Sequence, residues 1–297
     1  MAARILEGTI STETASFGAG KRESHDSTSF YGRRMMAPVR SAQVGEPVEP
    51  PAEILDRIFC ASSEAMTHLP DDCVALMVTS PPYNVGKDYD HDLSLDEYLG
   101  LLERVLAETY RVLEPGGRVA VNVANLGRKP YLALNHRVAA MLEGLGFLLR
   151  GEIVWQKAAG AGGSCAWGSW RSAKNPTLRD VHEYVIVASK GTFRRTRIGE
   201  DTITKEDFLD ATVSVWTIPS ESARRVGHPA PFPVALPRRL VELYTFAGDL
   251  VLDPFMGSGS TAVAAVESGR HYVGYEVEPD YIALAEERVA AAREAVE

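Results

Sequence analysis

The stretch Thr79-Ser80-Pro81-Pro82-Tyr83-Asn84 constrains this chain more than any other. It follows the apolar run Val74-Ala75-Leu76-Met77-Val78, short and bounded in the manner of a strand buried on both faces of a parallel sheet. In open α/β sheets ligands bind outside the carboxyl ends of the strands, which is where this tetrad stands. Consecutive prolines fix φ and remove two N–H donors. The carbonyls there have no ladder partner and can accept hydrogen bonds from a substrate amine. Ser80 adds a hydroxyl, and Tyr83 adds a flat π-face on which a planar ring stacks. Pro-Pro also marks rigid turns without chemistry, and the tetrad alone fits both readings.

A second stretch far downstream breaks the tie. Leu250-Val251-Leu252 runs into Asp253-Pro254-Phe255-Met256-Gly257-Ser258-Gly259-Ser260-Thr261, and Ala262, Val263, Ala265 and Val266 form the apolar face of a following helix. Gly257 and Gly259 permit a tight turn and close backbone approach to a ligand. A lone Gly-x-Gly is weak, but a strand before it and a helix after it supply the context of a nucleotide-binding loop. The next strand, His271-Tyr272-Val273-Gly274-Tyr275-Glu276, ends in an acid whose spacing suits hydrogen bonds to ribose hydroxyls.

Ser80-Pro81-Pro82-Tyr83 together with Asp253-Pro254-Phe255-x-Gly257-x-Gly259 resembles the amino-group DNA methyltransferases that use S-adenosylmethionine. The tetrad precedes the cofactor loop, an order similar to the β group of that family. The resemblance implies an α/β fold, a circularly permuted Rossmann-like methyltransferase with a mostly parallel seven-stranded sheet and a small target-recognition insert. It implies Ser80, Pro81, Pro82 and Tyr83 as the catalytic set. It implies Pro231, Phe232, Asp253, Pro254, Phe255, Gly257, Gly259, Thr261 and Glu276 as cofactor contacts, and no metal. The family often carries an acid at the end of the first strand, where this chain departs with Ala61-Ser62-Ser63-Glu64. Serine as the first tetrad residue resembles the N4-cytosine branch; N6-adenine is the alternative. Protein or RNA methyltransferases with a similar tetrad carry the cofactor loop first, and an inert DNA-binding module would not need Ser80, Tyr83, Gly257 and Gly259 intact.

Charge distribution sharpens the partner. The net charge of −9 argues against an evenly basic surface. Yet Lys157, Arg171, Lys174, Arg179, Lys190, Arg194, Arg195 and Arg197 face only Asp180 and Glu183 over that stretch. Lys87, Arg171, Lys174, Arg194, Arg195 and Arg197 are therefore the expected DNA contacts, and double-stranded DNA the expected partner. The resemblance leaves room for a homodimer and a cognate restriction endonuclease. Cys60, Cys73 and Cys165 lack paired or metal-ligand spacing and read as small buried residues. No apolar run reaches membrane-spanning length and no signal-peptide layout opens the chain, so a cytoplasmic bacterial protein acting at the nucleoid is expected.

In chain order, residues 1–50 read as a mobile arm rich in Ser, Thr, Gly and Pro, 51–157 as the catalytic half, 158–225 as the target-recognition region with a sheet strand near 183–189, and 226–297 as the cofactor-binding half. Ser94 with Glu97 predicts a capping box opening a helix lined by Tyr98, Leu101, Leu102, Val105, Leu106, Thr109 and Tyr110. Pro115-Gly116-Gly117 ends that helix ahead of a strand at Arg118–Val123, and Asn122, Asn125, Arg128 and Lys129 are weaker site candidates. Strands are expected at Arg57–Cys60, Glu152–Trp155 and Glu183–Ala188, the last two as a hairpin with the latter closing the sheet. The segment from Arg194 to Trp216 reads as irregular.

Overall fold

The computed structural model describes residues 45–82, 93–127, 130–157, 168–221, 226 and 232–296. The strands are β1 (Arg57–Cys60), β2 (Val74–Thr79), β3 (Leu113–Val123), β4 (Phe147–Gln156), β5 (His182–Lys190), β6 (Val215–Thr217), β7 (Leu250–Asp253) and β8 (His271–Glu276). The helices are α1 (Leu95–Val112), α2 (Leu134–Gly144), α3 (Lys205–Ala211), α4 (Ala235–Tyr244), α5 (Ser260–Glu267) and α6 (Pro279–Val296). The strands form one sheet in the order β1-β8-β7-β2-β3-β5-β4-β6.

Alternation along the strands separates two cores. Met77, Val119, Val121, Ile186 and Leu252 face the side covered by α1 and α2. Leu76, Val78, Ala120, Val187 and Val251 face the side where Leu236, Leu240, Ala262 and Val289 pack. Side chains buried on both faces explain why the strands read as near-continuous apolar runs. Strand β2 lies parallel to β7 with Leu76 opposite Val251 and Met77 opposite Leu252, so segments far apart in sequence end side by side.

The capping box is present: Ser94 Oγ accepts from Glu97 N, and Glu97 Oε2 accepts from Ser94 N at 2.8 Å. Other expectations need correction. The sheet has eight strands rather than seven, because β6 pairs in parallel with β4 through Trp216 opposite Trp155. A three-residue strand carries too little alternation to be seen in sequence. Nor does β5 close the sheet: it pairs with β3 as well as β4 and lies between them, although its antiparallel pairing with β4 is as expected. Helix α3 also falls in the segment read as irregular, opened by Thr204 accepting from Asp207 N at 3.1 Å. Strand β3 begins at Leu113 and includes Pro115-Gly116-Gly117. There β2 advances from Val74 to Leu76 while β3 advances from Leu113 to Arg118, so a bulge absorbs the Pro-Gly-Gly. Gly116 adopts φ +75°, and a Cβ there would strike the backbone of Arg194. Of the cysteines, Cys73 is buried as expected, Cys60 is exposed, and Cys165 lies outside the described residues. Among the described residues no helix is long and apolar enough to cross a membrane.

Candidate active site

The carboxyl ends of β1, β8, β7 and β2 open into a cavity of about 430 Å³. Its lining brings Ser80, Pro81 and Pro82 together with Pro254, Phe255, Gly257 and Glu276. Parallel pairing of β2 with β7 is what joins the two motifs.

Asp253 organises this edge from behind. It is fully buried, accepting from Thr79 Oγ1 at 2.6 Å, Thr261 Oγ1 at 2.7 Å and Phe255 N at 3.1 Å. These bonds tie the end of β2, the start of α5 and the loop into one unit. Burial pushes its carboxyl up to about 7 despite the three donors. The Asp253 and Thr261 side chains thus hold the loop, and neither is among the residues lining the cavity. Gly259 likewise turns away, at φ +79°, and a Cβ there would meet Ala285 of α6 at 2.8 Å. Its bareness lets helix pack on loop. Phe232 packs on the second core, and its carbonyl accepts from Ser260 Oγ at 2.9 Å.

Glu276 stands where β8 ends. One oxygen accepts from Gly257 N at 2.8 Å, the other from Val277 N at 2.8 Å and Glu278 N at 3.0 Å. The carboxylate therefore pins the glycine turn to β8 while still lining the cavity, where unused lone pairs can accept hydroxyls. Ser62, Ser63 and Glu64 line the same cavity at the end of β1, but Glu64 is held by Arg104 at 2.5 Å.

Ser80 sits on a buried polar relay. Asn122 Nδ2 donates to Ser80 Oγ at 3.2 Å and to Glu183 Oε2 at 2.7 Å. Lys157 Nζ pairs with Glu183 Oε1 at 2.5 Å and lies 5.3 Å from the Trp155 ring. Three strands, β2, β3 and β5, meet in this chain of contacts. Sequence reading ranked Asn122 low and counted Glu183 only as a charge. The signal available was a lone acid opening a β-rich run, and nothing local says that it would meet Ser80. Arg288 of α6 was missed altogether; it donates to Ser258 O and to Ser258 Oγ at 3.0 Å, bracing the glycine loop.

The basic residues divide. Strand β5 runs antiparallel to β3, with Val123 opposite Tyr184 and Arg118 opposite Ser189. The connection entering β5 therefore lies at the Ser80 edge and the segment leaving it at the opposite edge. Arg171 and Lys174 are exposed on the entering connection. Its turn is closed by Ser169 N donating to Asn175 O at 2.9 Å and Asn175 N to Ser169 Oγ at 2.8 Å, with Arg171 at φ +49° near the tip. Arg194, Arg195 and Arg197 lie on the leaving segment, at the end of the sheet away from Ser80. Arg195 is buried against Glu114 at 2.5 Å and Asp249 at 2.6 Å, and Arg197 reaches Glu49 at 2.6 Å. Tyr83, Lys87 and Pro231 lie outside the described residues, as do Arg128, Lys129 and residues 1–44.

Comparison with known proteins accords with this geometry. The sequence model of the N6/N4 methyltransferase family, described as DNA methylase, matches residues 74–287. Type II methyltransferase M.BglI of Bacillus subtilis is 30% identical over 292 residues, covering 76% of this chain and 83% of that protein. TTHA0409 of Thermus thermophilus, described as a DNA modification methylase and crystallised with S-adenosyl-L-methionine, superposes with a TM-score of 0.65 at 29% identity, covering 80% and 95% of the two chains. The PvuII DNA methyltransferase, cytosine-N4-specific, shares the fold at a TM-score of 0.62 and 20% identity, over 80% of this chain and 91% of that one. With the family match spanning most of its length and both family motifs on one cavity, this chain belongs to the N6/N4 DNA methyltransferases.

Proposed function

We propose that the protein is a site-specific DNA methyltransferase that moves a methyl group from S-adenosylmethionine to the exocyclic N4 amine of a cytosine flipped out of duplex DNA. The observation that carries this reading is the single cavity shared by Ser80 and Pro81 with Gly257 and Glu276. The lining suits that donor: Pro254, Phe255 and Tyr281 offer apolar and aromatic surface for the adenine, and Glu276 and Glu278 offer acceptors for hydroxyls. When bound, the sulfonium supplies an activated methyl group and leaves as a neutral thioether.

The chain's own task is positioning. An amine inside a duplex is out of reach, so its base must leave the stack, and Tyr83 is the ring proposed to receive it. Ser80 Oγ and the Pro81 carbonyl accept the two amine hydrogens, which turns the nitrogen lone pair toward the methyl. These bonds strengthen as positive charge grows on nitrogen, so they favour the transition state over the ground state, and the methylated amine then releases one of its two hydrogens as a proton to solvent. Asn122 orients Ser80 by donating to its oxygen, and Glu183 with Lys157 holds Asn122. Arg171 and Lys174 are proposed to meet phosphates beside the site, within a target-recognition region at about 158–178 and 192–225.

Serine at the first tetrad position supports cytosine N4. DNA incubated with protein and donor, digested and weighed by mass spectrometry, is expected to contain N4-methylcytosine. N6-methyladenine would replace the base and keep the mechanism; neither product, with bound donor verified, would overturn the reading. Ser80→Ala is expected to slow transfer at least about tenfold, a barrier rise of roughly 1.4 kcal/mol, with donor affinity unchanged.

A further inference from the structure

At the end of the sheet opposite the methyl-transfer cavity lies a second cavity, of about 440 Å³. It opens between β3, the segment leaving β5 and the end of α4, and Arg118, Phe193, Arg194, Tyr244 and Phe246 are among its walls. Arg195 and Arg197 also line it, but Glu114, Asp249 and Glu49 neutralise them. Arg118 and Arg194 on the wall, and Arg150 next to it at Phe193, differ from these. Among the described residues no carboxylate lies within ion-pair distance of Arg118, Arg150 or Arg194.

Arg118 is the most demanding of the three. Its Nη2 donates to Phe193 O at 2.9 Å, while Nε and Nη1 are buried with no hydrogen-bond partner among the described residues. Arg150 Nη1 reaches the same carbonyl at 3.5 Å, with its guanidinium 5.3 Å over the Phe193 ring. Arg118 lies 6.0 Å from the Tyr244 ring centroid. Ring faces compensate a desolvated cation only weakly compared with an anion. Burial first, then the neighbouring Arg150, depress the Arg118 guanidinium to about 10, so it remains charged at neutral pH. A buried cation with orphaned donors beside Arg150, offset by Glu114 only through space, has a requirement for negative charge that the described residues leave unfilled.

We propose that this cavity is a binding site for a phosphate-class oxyanion. A tetrahedral group accepts hydrogen bonds from several directions at once, matching guanidiniums that approach from different elements, whereas a flat carboxylate is served by one fork. Asp201 is the acid on the cavity wall and limits it to anions held by the arginines. The phosphate can be free or part of a nucleic-acid backbone, and the chemistry is shared.

The test is calorimetric titration of pyrophosphate into the full chain, for the wild type, Arg118→Met and the double variant Arg150→Ala with Arg194→Ala. Saturable binding is expected, weakened at least about tenfold in each variant, with S-adenosylmethionine affinity unchanged. If the phosphate is supplied by DNA, a duplex competes with pyrophosphate and its own affinity falls in the same variants. If the anion is free, the duplex does not compete and the variants bind it as the wild type does. Without anion, Arg118→Met is expected to melt higher, since it removes a desolvated charge. Pyrophosphate and duplex affinities that are absent or indifferent to these arginines would overturn the proposal. The double variant keeps the test open should Arg118→Met fail to fold.

Discussion

At the carboxyl ends of the parallel strands, polar groups surround an open cavity; at the amino ends, arginines are packed against carboxylates and rings. Ser80, Glu276 and Gly257 owe their meeting to strands that end together. Arg194, Arg195 and Arg197 stand a strand's length away because β5 runs antiparallel to β3 and carries the chain to the far edge. A run of basic residues in sequence is thus two populations in space. One, Arg171 with Lys174, is exposed on the connection entering β5 at the Ser80 end. The other includes a buried ion pair that stabilises the fold.

That contrast can be broken most forcefully at Arg195. Arg195→Ala leaves Asp249 buried without its cation and Glu114 with Arg197 alone, and should cost roughly 3–5 kcal/mol in urea unfolding, whereas Arg171→Ala with Lys174→Ala should stay within about 0.5 kcal/mol. The reverse pattern would mean the two populations have been misassigned.

Next in size is a pH effect at the cavity end. The Asp253 carboxyl is raised from 3.8 to about 7 on folding, so the folded state holds a proton the unfolded chain has released. Its contribution is fully present below the unfolded value and lost as pH rises through the folded one, an effect on the order of 4 kcal/mol. Stability measured by urea titration should decline across that window in the wild type, and Asp253→Asn should remove this part of the slope. An identical slope in the variant would assign it elsewhere.

Asn122→Ala sharpens the catalytic side. It should lower kcat about tenfold, near 1.4 kcal/mol, while leaving the affinity for S-adenosylmethionine unchanged, since it touches Ser80 and Glu183 and not the glycine turn. A loss of donor affinity instead would make it part of the cofactor wall.

The smallest effect belongs to the exposed cations. Arg171→Ala with Lys174→Ala should weaken duplex binding severalfold and reduce the logarithmic salt slope by about 2, one for each phosphate contact removed. An unchanged slope would remove this turn from the DNA-facing surface.

Much of the fold is legible in short-range pattern. Buried strands read as apolar runs, Ser94 and Glu97 announce α1, and glycines between Leu252 and Ala262 announce a ligand turn. What escaped was short or cooperative. Strand β6 is three residues long and forms because β4 offers an open edge, and the bulge at Pro115-Gly116-Gly117 depends on the register with β2. At the site, residue type alone does not show that Gly259 packs against Ala285 or that Asp253 is gripped by Thr79 and Thr261, because those partners come from distant segments.

The sequence by itself determined the family, the order of its two motifs and the residues that edge the cavity, because each depends on residue types at fixed local spacing. Only the tertiary structure decided which of those residues line the cavity, that Asn122 and Glu183 stand behind Ser80, and that Arg194, Arg195 and Arg197 lie at the other end of the sheet. Strand direction and neighbour order are long-range properties: one antiparallel strand, set by pairing with residues about sixty positions earlier, moves a charge from one edge of the molecule to the other.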